Sequence, residues 1–322
     1  MTDESIVRFI KIENSQFEGV GIDSRIGMVS NVMRRESSFD NVMIANSTLN
    51  GSGVEYVGGV VGAAYNSENK VFKVIVVNVN ITGSSRSACV GGVAGKIHYV
   101  RIKEVYVGNT IVNGAGQESS VGGVVGDSAS SSIQNVTIID SSISGKYAGG
   151  IVGCSVDDKV SICNVIRAEV NGDSVGGVIG HGEYSEMKNA TVANSTIITH
   201  TDNPHLEGGI GYAYDVTADL TVIDTVIYFV KRSAVPTEAP TEAPTEALMI
   251  GVSSVAFIAV AAVGGGFYWY KRHNNGGGCC SGHRVLLTED GNNPGGKDEQ
   301  KTDESMRMIE PRVKRYALMS NK

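Results

Sequence analysis

The chain has 322 residues, of which 41 are glycine and one is tryptophan, while 41% are hydrophobic. Helices packed on sheets want more large side chains and fewer glycines, collagen needs glycine at every third place, and a disordered chain carries fewer apolar residues. Residues 1–247 hold 17 Lys and Arg against 27 Asp and Glu, which excludes a phosphate-binding surface, so no nucleic-acid partner is expected.

Residues 1–5 offer neither the basic stretch nor the apolar run of a signal peptide. Residues 9–19 already read like the second half of a repeat, so the chain is expected to start mid-repeat, with its native N-terminus upstream.

The repeat follows at once. A Gly-Gly-aliphatic-aliphatic-Gly block recurs from Val57 to Gly62, Val90 to Gly95, Val121 to Gly126, Ala148 to Gly153 and Val175 to Gly180. A worn copy lies at Ile26–Val29 and a degraded one at Glu207–Gly211. Block starts fall at 26, 58, 91, 122, 149, 176 and 208, a spacing of 27–33 residues that suits one solenoid coil each. The paired glycines are expected to turn the chain with positive φ and to permit close approach. A second block follows each, as in residues 39–51 and 133–145. There Val42/Ile44 and Val136/Ile138 alternate with polar residues, the period of a half-buried strand. Asn41, Asn135, Asn164 and Asn189 recur as a candidate stacked amide ladder. No sustained helical periodicity occurs before residue 245. The fold class expected is all-β: a parallel β-solenoid of about seven coils over residues 1–232.

Over residues 6–230 this pairing of blocks resembles the GLUG-motif repeats of extracellular, adhesin-like proteins. Here Val or Ile stands for the usual Leu, as in Val121-Gly122-Gly123-Val124-Val125-Gly126, and the aromatic of the second block is mostly absent. The resemblance implies a surface-exposed β-solenoid, found in adhesins or large peptidase-like surface proteins, and it transfers no catalytic residue.

The Asn-x-Ser/Thr triplets at Asn46, Asn80, Asn135, Asn189 and Asn194 are candidate glycosylation sites. Asn46 and Asn194 are the better ones, since Asn135 and Asn189 are possible inward ladder residues. Among the cysteines, Cys154 and Cys163 are the pair placed to bridge one turn. Gly172-Asp173-Ser174-Val175-Gly176 fits a hydrolase nucleophile pattern but lacks the strand-to-helix context, and Gly176 belongs to the repeat. Residues 291–297 imitate a phosphate loop without its Ser/Thr. The six histidines form no zinc-binding pattern, and Asp157-Asp158 reads as a solvated corner rather than an acid/base pair. No catalytic, cofactor-binding or metal-binding residue is therefore assigned, and the chain is expected not to be an enzyme. The alternative is a surface-anchored β-helix enzyme, carbohydrate-active or peptidase-associated, whose catalytic part is missing or unrecognised.

Residues 233–247 repeat Pro-Thr-Glu-Ala, as an extended stalk would. Residues 248–270 carry no charge and end in Phe267-Tyr268-Trp269-Tyr270 before Lys271-Arg272, the pattern of a single transmembrane helix with its tail in the cytoplasm. In the tail, residues 271–322, Cys279 and Cys280 are candidate palmitoylation sites and Tyr316 with Met319 a candidate endocytic sorting signal for an adaptor. The expected protein sits in the plasma membrane with its repeats outside and binds glycan or protein ligands as an adhesin or coat. An endocytic receptor is a further alternative.

Overall fold

The computed structural model describes residues 5–22, 24–34, 36–67, 69–200, 208–230, 247–251 and 256–259. They form a parallel β-solenoid of about seven turns, and no helix occurs among them. Each coil runs through three stacked sheets. A three-residue strand at the first glycines enters a narrow sheet, as in Tyr56–Gly58, Cys89–Gly91 and Ser120–Gly122. A five-residue strand follows in a middle sheet, as in Val61–Tyr65, Ala94–His98 and Val125–Ala129. The second block then builds a broad sheet, either as one long strand (Ser38–Ser52) or as two arms (Ser132–Ile139 with Ser142–Ser144).

Parallel register places each residue on its equivalent in the next coil, about 4.8 Å away. The core is thus a set of aliphatic columns. Val42, Val74, Val105 and Val136 form one, continued by Cys163 and Ala190. Ile44, Val76, Val107, Ile138 and Val165 form the next, and Leu49, Ile81, Val112, Ile143 and Val170 a third on the second arm. All of these side chains are buried. One coil alone has too few large residues to close a core, whereas stacked coils bury a continuous one at ~25 cal/mol for each Å² of apolar surface removed from water.

The glycines work by close approach rather than by left-handed turns. A Cβ on Gly58 would stand 2.0 Å from the Val61 carbonyl oxygen, and one on Gly95 would stand 2.5 Å from the Val57 nitrogen. Narrow and middle sheets therefore meet backbone to backbone. Positive φ belongs mainly to other residues, which fall, Glu36 apart, into three columns. One kinks the first arm of the broad sheet (Phe9, Asn41, Lys73, Glu104, Asn135, Ile162, Asn189). The second turns the first arm into the second arm (Asn14, Asn46, Asn78, Asn109, Asp140, Arg167, Asn194, Asp224). The third joins middle to broad sheet (Asn66, Tyr99, Ser130, Asp157, Tyr184, Asp215). Asn and Asp tolerate this conformation best among non-glycine residues, and they are frequent in all three columns.

The amide ladder lies elsewhere than expected. Asn41, Asn135 and Asn189 share the kink column with Lys73, Glu104 and Ile162, and Asn164 registers instead with Thr137 and Thr191. The side chains that do stack are at the arm-to-arm corner. There Asn78 Nδ2 donates to Asn46 Oδ1 at 3.0 Å, and Asn109 Nδ2 donates to Asn78 Oδ1 at 2.6 Å. Two coils on, Arg167 forms a forked pair with Asp140 at 2.7 and 2.9 Å.

At the C-terminal side, Ala247–Gly251 pairs antiparallel with Val226–Val230, and Ala256–Ala259 pairs antiparallel with Thr217–Ile223. Both are strands within or beside residues 248–270, where a transmembrane helix is expected from the sequence. The rest of that range, most of the stalk and the whole tail, including Cys279, Cys280, Tyr316 and Met319, lie outside the described residues. Among the described residues no helix is long and apolar enough to cross a membrane.

Candidate functional site

The narrow and middle sheets close on each other through glycine, and the residues flanking those glycines form a seam along the solenoid. From the narrow sheet come Arg25, Tyr56, Cys89, Ser120, Tyr147 and Ser174, one per coil. From the middle sheet come Ala63, Lys96, Asp127, Cys154, His181 and Tyr212. Small residues fill the centre of the seam, and large ones gather at its two ends.

At the N-terminal end the large residues are cations and tyrosines. Arg25 sits 5.5 Å from the Tyr56 ring centre and 5.9 Å from that of Tyr65, and Lys96 lies 5.5 Å from Tyr56. Lys96 Nζ also pairs with the buried Asp127 carboxylate at 2.8 Å. Burial pushes the Asp127 carboxyl above the usual carboxylate range, against the pull of Lys96, and burial together with Lys96 lowers the imidazole of His98. The Tyr56 hydroxyl donates to Glu55 at 2.7 Å, and burial with that carboxylate holds its proton more tightly than usual.

At the C-terminal end the seam opens into a cluster of rings. His181 lies flat on Tyr212 with centres 4.5 Å apart and planes 13° apart, and Tyr147 meets His181 edge-on at 5.5 Å. One step round the coil, Tyr184 and Tyr214 pack edge to face at 5.2 Å. Tyr184 is 54% exposed and Tyr214 53%. His181 Nε2 lies 3.1 Å from Glu183 Oε1, so a carboxylate and an imidazole border the rings. The Tyr184 hydroxyl is harder to ionise than usual because of its hydrogen bond with Tyr214. A stacked pair and two half-exposed tyrosines one step round the coil, bordered by a few polar groups, make a platform for a ligand with an apolar face and a hydroxyl rim.

None of these rings is singled out by spacing in the sequence. The signal lies in the residue that follows the last glycine of each block: Ala63, Lys96, Asp127, Cys154, His181 and Tyr212 become one column once the blocks are aligned.

The sites expected from the sequence are dispersed. Asn46, Asn80, Asn135, Asn189 and Asn194 are all exposed on the broad sheet, and Asn135 and Asn189 do not turn inward. Asp157 is exposed, but Asp158 is 1% exposed inside the solenoid, so the pair is not a solvated corner. The Asp158 carboxylate accepts from the Ser131 backbone N–H at 2.8 Å and the Ser155 hydroxyl at 2.7 Å. Burial nonetheless pushes its pKa up to about 7. Cys163 is a free thiol in a core column while Cys154 lies in the seam, so no bridge joins them. The Ser174 hydroxyl donates to the Gly180 carbonyl at 2.8 Å. No group of three or more His, Cys, Asp and Glu among the described residues could hold a metal ion.

No family model matches the chain, and no curated protein matches it. Solved structures do. A candidate immunoglobulin A1 protease from Bacteroides ovatus is 17% identical, with 66% of each chain covered and a TM-score of 0.36, so this chain spans just under two thirds of its length. The endo-xylogalacturonan hydrolase of Aspergillus tubingensis is 16% identical over 72% of this chain and 77% of its own, with a TM-score of 0.23. The plasmid-mediated fluoroquinolone resistance protein QnrB1 is 9% identical over 67% and 94%, with a TM-score of 0.20. Such likeness concerns the fold alone, and what those proteins act on does not carry over. It does correct the expectation that this chain is not an enzyme. Two of the three are named as enzymes.

Proposed function

We propose that the protein is an adhesin-like surface protein of the GLUG-repeat kind, whose solenoid binds carbohydrate on the ring cluster of Tyr147, His181, Tyr184, Tyr212 and Tyr214. The observation that carries this reading is the stacked pair His181 and Tyr212 beside two tyrosines that are more than half exposed. A pyranose offers a C–H face to such rings, while Glu183 and the imidazole meet its hydroxyls. Exposed rings in a contiguous patch are costly to leave in water and mark a binding surface. In this reading residues 233–247 lift the solenoid from the bilayer, residues 248–270 leave their pairing with Val226–Val230 and Thr217–Ile223 to span it as a helix, and the tail faces the cytoplasm. Several copies on one surface would bind by multivalency.

Two measurements on cells displaying the full chain with a C-terminal tag test the proposal. External protease should remove the repeats and leave a protected tagged fragment, and the same cells should retain a subset of an immobilised glycan panel. Repeats protected until the cells are permeabilised would overturn the surface placement. A panel with no retained glycan would overturn the ligand class.

A further inference from the structure

We infer that Asn135 carries an N-linked glycan whose first sugar lies in a groove on the outer face of the broad sheet; the inference rests on the extracellular placement proposed above. The groove has a volume of about 540 Å³, and both ends of one glycosylation triplet, Asn135 and Thr137, line it. No other Asn-x-Ser/Thr triplet lines it. Met43, Ile75 and Tyr106 supply its apolar lining. They form a single outward column with Thr137, since Met43 registers with Ile75, Ile75 with Tyr106 and Tyr106 with Thr137.

Two backbone features shape this seat. Asn135 has φ 55°, and the kink puts two consecutive residues, Gln134 and Asn135, outside between the buried Ile133 and Val136. Tyr106 is 40% exposed, and its ring atoms lie 2.9–3.2 Å from the place a Cβ would take on Gly108. The ring therefore lies down over the glycine instead of standing out from the sheet, and it turns a face toward solvent. Asn41, Lys73 and Glu104 put polar groups around the apolar lining, as the hydroxyls and acetamido group of an N-acetylhexosamine would require. Two other triplets are already engaged. Asn46 Oδ1 already accepts from Asn78, and the Thr82 hydroxyl of the Asn80 triplet donates to Asn50 at 3.1 Å.

The reaction is a substitution. Asn135 Nδ2 forms a bond to C1 of a sugar carried on a lipid pyrophosphate, the bond from C1 to the pyrophosphate oxygen breaks, and the lipid pyrophosphate leaves. One amide proton passes to a base of the transferase, and nothing is oxidised or reduced.

The test is expression of the full chain through the secretory pathway of a eukaryotic cell. Enzymatic deglycosylation in heavy-oxygen water followed by peptide mass mapping then marks each asparagine that carried sugar. Asn135 should be occupied. Tyr106→Ala should leave its occupancy intact yet speed release of the glycan from the folded protein severalfold, because the sugar has lost its seat. An unmodified Asn135 beside other occupied triplets would overturn the inference and leave the surface placement standing. Equal release rates in the two proteins would overturn the seat. Modification nowhere, with the repeats protected from external protease, would overturn both readings together.

Discussion

Asp158 sits in the solenoid wall at the position that Asn69 occupies three coils earlier, and each accepts a hydrogen bond from the backbone N–H of the preceding coil, Ser131 for one and Ser37 for the other, at 2.8 Å. Asn69 fills its place without charge and donates to the Tyr65 carbonyl at 2.8 Å. Asp158 brings an ionisable group into the same dry position. Its folded pKa of about 7 lies above the ordinary 3.8, so the folded state holds a proton that the unfolded chain has released. Its stabilising contribution is complete below the ordinary value and is lost as pH rises through about 7. Thermal or denaturant unfolding should show stability falling across that window. Asp158→Asn should flatten the profile and be the more stable protein at pH 8.

Ile162 is the β-branched member of the kink column, at φ 54° between the Asn135 and Asn189 coils. It is 44% exposed, so little burial is at stake. A left-handed β-branched residue is strained by about 1–2 kcal/mol. Ile162→Asn should therefore raise stability by about 1 kcal/mol in urea unfolding, and Ile162→Val should not.

The seam between narrow and middle sheets leaves no room for a methyl group at its glycines. A Cβ on Gly122 would stand 2.0 Å from the Val125 carbonyl oxygen and 2.6 Å from that of Ile151 in the next coil. Both obstacles are backbone and cannot rotate away. Gly122→Ala should cost ~3 kcal/mol or more. Gly53, whose added Cβ would come no closer than 3.6 Å to its neighbours but whose φ is 69°, should lose only the left-handed strain of ~1 kcal/mol on the same change.

Cys163 stands in the column between Val136 and Ala190, and burial pushes its thiol up to about 12. The thiolate is the reactive form. An alkylating reagent at pH 8 should leave Cys163 untouched in the folded protein and label it fully in guanidinium, as peptide mass mapping would show.

The repeat was legible because glycine blocks and coil length are linear features: seven block starts give the seven coils. The reason for the glycines was only half legible. Contact between sheets is a relation among residues such as Gly95 and Val57, about one coil apart, and no local pattern separates it from a turn. Positive φ went to Asn78, Asp140, Tyr184 and Ile162, of which only the Asn and Asp carry a compositional hint. The amide ladder was sought at Asn41 because that asparagine opens the visible block, whereas the stacked amides close the first arm at Asn46, Asn78 and Asn109. His181 and Tyr212 are 31 residues apart and meet only through coil register, so the ring cluster had no signature until the coils were superposed.

The central claim is that these rings hold sugar, and titration of one glycan retained by the panel into the wild-type chain and its Tyr212→Ala, Tyr214→Ala double variant tests it most directly. Far-ultraviolet circular dichroism and unfolding midpoints would establish that both are folded, since Tyr214 is exposed and Tyr212 lies at the seam's open end. The account predicts saturable binding by the wild type and a loss of about tenfold or more in the variant, the equivalent of ~1.4 kcal/mol. Equal affinity in two equally folded proteins would contradict it.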